Sequence, residues 1–280
     1  MAFMNVTFFS PALKRTVSCN VIMPTDKSMN GTDYEKVTPC KTLYLLHGIY
    51  GSCNDWVQGT RVKAWASAAN LCVVMPSGEN KFYSDSAISG DMFGEFITRD
   101  LVNFIENTFD VSRKREDRFI AGLSMGGFGA VTNGLRHPEV FGVIAGMSSA
   151  FIKDRILRAT RDGKNDFYND VQYCTMMGIS KPSEFVDSAN DYDWLACRVA
   201  AETPELKPKM YLCCGTEDGL YPMNVAYRDL LNSLGYDLTW EEWPGNHNWQ
   251  FWDESIEKII AWLPLGKAEE GISSGNVKKV

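Results

Sequence analysis

The stretch Phe119-Ile120-Ala121-Gly122-Leu123-Ser124-Met125-Gly126-Gly127-Phe128-Gly129-Ala130 decides how this chain is read. Apolar residues run into a Gly-x-Ser-x-Gly signature, and small residues with helical promise follow it. That order spells a strand, a very sharp turn carrying the serine, and then a helix. Glycine is needed two residues before and two after the serine. The strand and helix backbones pass so close there that a Cβ would collide. The helix aims its positive N-terminus at the serine, where an oxyanion would develop in acyl transfer. The bare pentapeptide is common; a strand before it and a helix after it make it informative.

Working outward, strands and helices alternate on both sides. Asn5–Ser10 and Thr16–Met23, joined through Pro11, read as a hairpin at a sheet edge. Thr42–Leu46 is a short apolar run that suits a buried strand, and Arg61–Ala69 a helix before the strand Leu71–Met75. Met92–Phe109 carries apolar residues at helical spacing, Arg118–Leu123 is the strand into the turn, and the helix after it runs to about Leu135. Further strands are expected at Val140–Met147, Met210–Cys214 and Leu238–Trp243, with helices at Met223–Leu234 and Trp249–Leu263. The pattern predicts an α/β fold: a mainly parallel central sheet of about eight strands, covered by helices on both faces. Ligands of such sheets bind beyond the carboxyl ends of the strands.

Two segments break the rhythm. Ser148–Pro208 mixes charge with aromatics (Phe151, Phe167, Tyr168, Tyr173, Phe185, Tyr192, Trp194) and is read as a cap packed over the carboxyl edge, its aromatics forming the outer wall of the site. The polar, glycine-rich stretch 266–280 is expected to be a frayed tail, and Thr25–Pro39 a surface loop. Residues 1–265 then form one domain with the cap as an insertion.

The 280 residues carry 35 acidic against 28 basic side chains, a formal charge of −7, and no dense Lys/Arg block, which argues against a nucleic-acid partner. No apolar run approaches the ~18 residues of a membrane span, and no signal-peptide pattern is read at the start, so a cytoplasmic protein with no membrane partner is expected. The eight cysteines form no Cys-x-x-Cys pair and several sit inside apolar runs, so they read as buried free thiols rather than zinc ligands.

The serine needs a base, and the chain has only three histidines. His137 precedes Pro138 at the far end of the helix after Ser124, where it suits the helix terminus. His47 ends a strand in Leu46-His47-Gly48-Ile49. His247, in Trp243-Pro244-Gly245-Asn246-His247-Asn248-Trp249, lies in the loop after the last strand, where a base can reach the turn. The acid should follow the strand Met210–Cys214. Glu217 and Asp218 compete there, with Asp218 favoured. One oxyanion donor should be the N–H of Met125. The other should come from the His47-Gly48 loop, from Ile49 or, as the alternative, Tyr50; His47 then fixes that loop. Tyr50, Trp56 and Trp249 are expected at the substrate pocket. Asp162-Gly163-Lys164-Asn165-Asp166 is acidic but lacks the spacing of a calcium loop.

At these residues the chain resembles the putative-esterase branch of the α/β-hydrolases, which includes tributyrin esterases, S-formylglutathione hydrolase and the feruloyl and acetyl-xylan esterases of carbohydrate esterase family one. The resemblance rests on Leu45 to Ser52 with Asn54-Asp55-Trp56, Ala121 to Gly129, Cys214 to Asp218 and Pro244 to Trp252. Within the branch the look is closest to tributyrin esterase. The resemblance implies a serine carboxylesterase acting on short acyl esters (acetyl to butyryl) of a small molecule, without cofactor or metal, commonly in a homo-oligomer. Its order of Ser124, Asp218, His247 is that of the α/β-hydrolases. Acetyl-xylan or feruloyl esters and S-formylglutathione are the alternative substrates. Formylglutathione hydrolases usually carry histidine where this chain has Phe128, which disfavours a thioester.

Overall fold

The computed structural model describes residues 1–24, 39–164 and 167–265. Eight strands form one sheet in the order β1-β2-β4-β3-β5-β6-β7-β8. They are β1 (Ala2–Ser10), β2 (Arg15–Met23), β3 (Thr42–Leu46), β4 (Cys72–Pro76), β5 (Arg118–Leu123), β6 (Val143–Met147), β7 (Lys209–Gly215) and β8 (Leu238–Trp243). The β1–β2 hairpin is antiparallel from Ala2↔Met23 to Ser10↔Arg15 and joins β4 antiparallel; the other pairings are parallel.

Strand β5 lies inside the sheet, between β3 and β6. Its alternate residues feed two separate cores: Ile120 on one face, Phe119, Ala121 and Leu123 on the other. A strand buried on both faces must be apolar throughout, which is why Phe119–Leu123 shows no polar alternation.

Helices α1 (Asp55–Gly59), α2 (Val62–Ala68) and α10 (Trp249–Trp262) cover the Phe119 face. The opposite face is covered by α3 (Phe93–Glu95), α4 (Leu101–Thr108), α5 (Met125–Arg136), α6 (Lys153–Arg158), α7 (Asp170–Met177), α8 (Tyr192–Glu202) and α9 (Tyr221–Ser233).

Two expectations change. The helix expected over Met92–Phe109 contains a π-helical stretch at Phe96–Asp100 between α3 and α4. At its end the buried Asp100 accepts hydrogen bonds from Ser10 Oγ (2.7 Å) and the N–H of Ala12 (2.8 Å), tying the helix to the β1–β2 turn. Such stretches re-aim a side chain at the cost of helical regularity. Secondly, the aromatics of 148–208 do not wall the site. Phe151, Phe185 and Tyr192 are buried against Phe128 of α5 and Tyr227 of α9. Helices α6, α7 and α8 are therefore part of the main core on that face. Tyr168 does reach the loop after β3, through its hydroxyl's contact with that of Tyr50.

All eight cysteines are free, and seven are buried; Cys197 is exposed. Burial pushes the thiols of Cys19 and Cys213 up to about 12, as befits small apolar packing groups. The residues of the expected 25–39 loop lie outside the described residues except Pro39, as does the expected tail.

Candidate active site

Ser124 sits between β5 and α5 with φ 52° and ψ −117°, a left-handed conformation that a side chain adopts only under constraint. The constraint is visible on both sides. The Ser124 N–H donates to Met147 O on β6 (2.9 Å), and its carbonyl accepts from the N–H groups of Phe128 and Ala150 (both 3.0 Å). The two glycines answer to sterics. A Cβ on Gly122 would stand 2.3 Å from Gly126 backbone, and one on Gly126 only 2.4 Å from Leu46 O. Nothing larger fits.

His247 enters from the loop between β8 and α10. Its Nε2 lies 3.1 Å from Ser124 Oγ and its Nδ1 2.8 Å from Asp218 Oδ2. The strand ends bring together three residues spread across 123 positions of chain. Asp218 is 4% exposed whereas Glu217 is solvent-exposed, so the competition between them is decided by burial. Burial pushes the Asp218 carboxyl up. The hydrogen bond and charge of His247, the Leu220 N–H at 2.8 Å and the Ser148 hydroxyl outweigh it and hold the pKa below the usual carboxylate value. Asp218 is thus a carboxylate, able to accept from Nδ1–H and keep Nε2 free as an acceptor toward the serine.

The loop after β3 supplies the opposite wall. His47 is 1% exposed, and both ring nitrogens face backbone: Nδ1 lies 2.6 Å from Gly48 O and Nε2 accepts from the Gly78 N–H at 2.8 Å. That pairing requires the neutral ring with its proton on Nδ1. Burial lowers its pKa, against a smaller rise from the Gly48 carbonyl and Asp55. Gly48 O also accepts from the Gly51 N–H at 3.2 Å. Because a trans peptide points its C=O and N–H in opposite directions, anchoring Gly48 O turns the Ile49 N–H the other way. The alternative donor is engaged: the Tyr50 N–H donates to Asn80 Oδ1 at 2.8 Å. Met125 is the first residue of α5, where backbone N–H groups have no partner within the helix.

Between these walls is a cleft of about 510 Å³ lined by Ile49, Tyr50, Ser124, His247, Trp249 and Trp252, among others. Tyr50 and Trp249, expected at the pocket, are there. Trp56, also expected there, is not: it is fully buried, donates from Nε1 to Leu46 O (3.1 Å) and supports Trp249 edge-on at 5.6 Å. The Met125 side chain is likewise buried in the core. Trp252 was missed by sequence reasoning. It lies one helical turn beyond Trp249 at the start of α10, a spacing that puts both rings on one side. Its ring meets that of His247 edge-on at 4.9 Å. Its buried Nε1 has no hydrogen-bond partner.

Among the described residues no group of three or more His, Cys, Asp or Glu is arranged to hold a metal ion. Asp162 accepts from Thr160 Oγ1 (2.8 Å) and the Lys164 N–H (3.3 Å), while Asn165 and Asp166 lie outside the described residues. No helix among the described residues is long and apolar enough to cross a membrane.

Residues 10–263 match the model of the family described as "Putative esterase". The chain belongs to this esterase family. The esterase is 36% identical to an acetyl esterase of Caldicellulosiruptor saccharolyticus over 267 residues, covering 94% of this chain and 98% of the relative. Among solved structures it is similar to FphF, a fluorophosphonate-binding serine hydrolase of Staphylococcus aureus, with a TM-score of 0.80 and 28% identity over 94% of this chain and 98% of that one. An S-formylglutathione hydrolase (FrmB) of the same organism gives 0.79 at 28% identity and the same coverage. The esterase is an enzyme of the serine-hydrolase type with the α/β-hydrolase fold read from its sequence.

Proposed function

We propose that the esterase hydrolyses short-chain acyl esters, acetyl to butyryl, through an acyl-enzyme on Ser124. The observation that carries this is the hydrogen-bonded chain Ser124–His247–Asp218 at the floor of the cleft. In acylation, Ser124 Oγ bonds to the ester carbonyl carbon as its proton passes to His247 Nε2. Asp218 stabilises the imidazolium, and the N–H groups of Ile49 and Met125 hold the oxyanion. The C–O bond to the alcohol then breaks, and the leaving oxygen takes the proton from Nε2. Water, deprotonated by His247 in turn, attacks the acyl carbon and frees Ser124.

The tryptophans Trp249 and Trp252 beside Ser124 and the identity to an acetyl esterase support a small acyl group. Phe128, fully buried against Phe82 and Tyr192, belongs to the core and offers no polar group to a thioester substrate. Eight unpaired cysteines suit a reducing compartment, which supports a cytoplasmic location.

The test is a rate panel of p-nitrophenyl acetate, butyrate and octanoate with acetylated xylo-oligosaccharide, a feruloyl ester and S-formylglutathione. Acetate and butyrate should lead. Octanoate or the thioester leading would overturn the substrate assignment, and a Ser124→Ala variant that still labels with a fluorophosphonate would overturn the nucleophile.

A further inference from the structure

The two edges of the sheet differ in a way that catalysis does not use. Edge strand β8 carries Glu241 and Glu242, which pair with Lys258 (2.6 Å) and Arg228 (3.8 Å). Charges on an edge oppose pairing with another strand. Edge strand β1 spans nine residues, Ala-Phe-Met-Asn-Val-Thr-Phe-Phe-Ser, with no charge at all, and among the described residues no strand lies beyond it. Its Met4, Val6 and Phe8 pack inward, with Phe8 stacked on Phe104 at 4.0 Å. On the other side Phe3 and Phe9 are 43% and 62% exposed. Such an edge, about 30 Å long at the usual rise per residue, presents backbone donors and acceptors that no strand among the described residues pairs, beside exposed aromatic rings.

The order of residues along β1 favours one occupant. Read antiparallel against itself about Val6, the strand places Phe3 opposite Phe9, Asn5 opposite Thr7, Met4 opposite Phe8 and Ala2 opposite Ser10. Aromatic meets aromatic and amide meets hydroxyl on the exposed side, and apolar meets apolar on the core side, the pairings that stabilise neighbouring strands. With no charged residue on β1, pairing sets no like charges opposite each other along the seam, whereas β8 would bring four glutamates together.

We infer that β1 is the interface of a two-fold homodimer, in which β1 pairs antiparallel with β1 of a second copy, in register about Val6, to make one continuous sheet. Three strands separate β1 from β5, so each copy keeps its own Ser124 and cleft. The dimer is therefore not required for turnover.

Light scattering during gel filtration tests this on the full chain, with circular dichroism and p-nitrophenyl acetate turnover to show that each variant is folded. The wild type should be dimeric at micromolar concentration. In the double variant Phe3→Lys/Phe9→Lys the register sets like charges opposite each other twice, and it should be monomeric with normal kcat. Phe3→Lys/Phe9→Glu sets opposite charges in the same places and should dimerise about tenfold or more tighter than the Lys/Lys variant. A monomeric wild type, an unaltered dimer in the Lys/Lys variant, or equal dissociation of the two double variants would each overturn the proposal.

Discussion

His47 and His247 both follow the carboxyl end of a parallel strand, β3 and β8, yet their ring nitrogens have opposite kinds of partner. The ring of His47 is held between two backbone groups, Gly48 O and the Gly78 N–H, and is almost wholly buried. His247 is held between two side chains, Ser124 Oγ and Asp218 Oδ2, and is partly open to the cleft. A backbone carbonyl and amide cannot exchange a proton with the ring at any ordinary pH, so the first histidine is a structural pin. A serine hydroxyl and a carboxylate are the partners that the proposed proton carrier requires. The same side chain serves two ends because the partners, not the imidazole, decide what the proton can do.

Variants that break this contrast should separate into catalytic and structural losses. His247→Ala should lower kcat by about 10⁶-fold, as in hydrolases whose base is removed, with little change in Tm because the ring touches the cleft. Asp218→Asn should cost about 10⁴-fold by presenting an amide to Nδ1 and favouring the wrong tautomer. Steady-state kinetics on p-nitrophenyl acetate measure both.

His47→Ala should act differently. It releases Gly48 O and with it the Ile49 N–H, so kcat should fall by about 10²-fold, within the loss typical of one oxyanion donor. It also leaves the buried Gly78 N–H unpaired, which costs about 2 kcal/mol and should appear as a lower Tm. Normal thermal stability in this variant would remove His47 from the role of pin.

The pH dependence sharpens the contrast further. The unfolded chain protonates a histidine below about pH 6.5, whereas burial keeps folded His47 neutral below that value. The unfolded state then binds more protons, so the contribution of His47 to stability is full above that pH and is lost as pH falls through the lowered folded pKa. Asp218 has its pKa lowered too, but as a carboxylate: its contribution persists until the pH drops below the ordinary carboxylate range. Tm should therefore decline between pH 7.5 and 5.5 in the wild type and decline less in His47→Gln, while Asp218→Asn leaves that slope unchanged. The smallest effect is expected of Trp252→Phe. It keeps an aromatic edge against His247 and removes an indole N–H that has no partner, so kcat/KM should stay within about threefold.

Much was legible in the sequence because sterics and scarcity leave few choices. Gly122 and Gly126 are required by contacts of 2.3 and 2.4 Å that no side chain survives. Such a demand shows as a fixed spacing about Ser124 in any reading of the chain. Three histidines allow selection of a base by elimination. The apolar runs of β3, β5 and β6 announce a parallel sheet because both their faces are buried.

The rest depended on which of two neighbours turns inward, a question local pattern cannot answer. Asp218 rather than Glu217 is buried, and the Ile49 N–H rather than that of Tyr50 is left free of Asn80. Trp56 sinks under the cleft while Trp249 and Trp252 line it. The aromatics of 148–208 pose the same question, and Phe151, Phe185 and Tyr192 turn to the core. An aromatic residue in an irregular segment can face a site or a core, and the helices it packs against come from distant parts of the chain. By itself the sequence singled out the Ser124 turn and His247 as its candidate base, because backbone sterics and residue count act locally. Only the tertiary structure separated Ile49 from Tyr50 as candidate oxyanion donor and Asp218 from Glu217 as candidate acid, and set the walls of the cleft, because each is a choice between adjacent residues made by contacts from other strands.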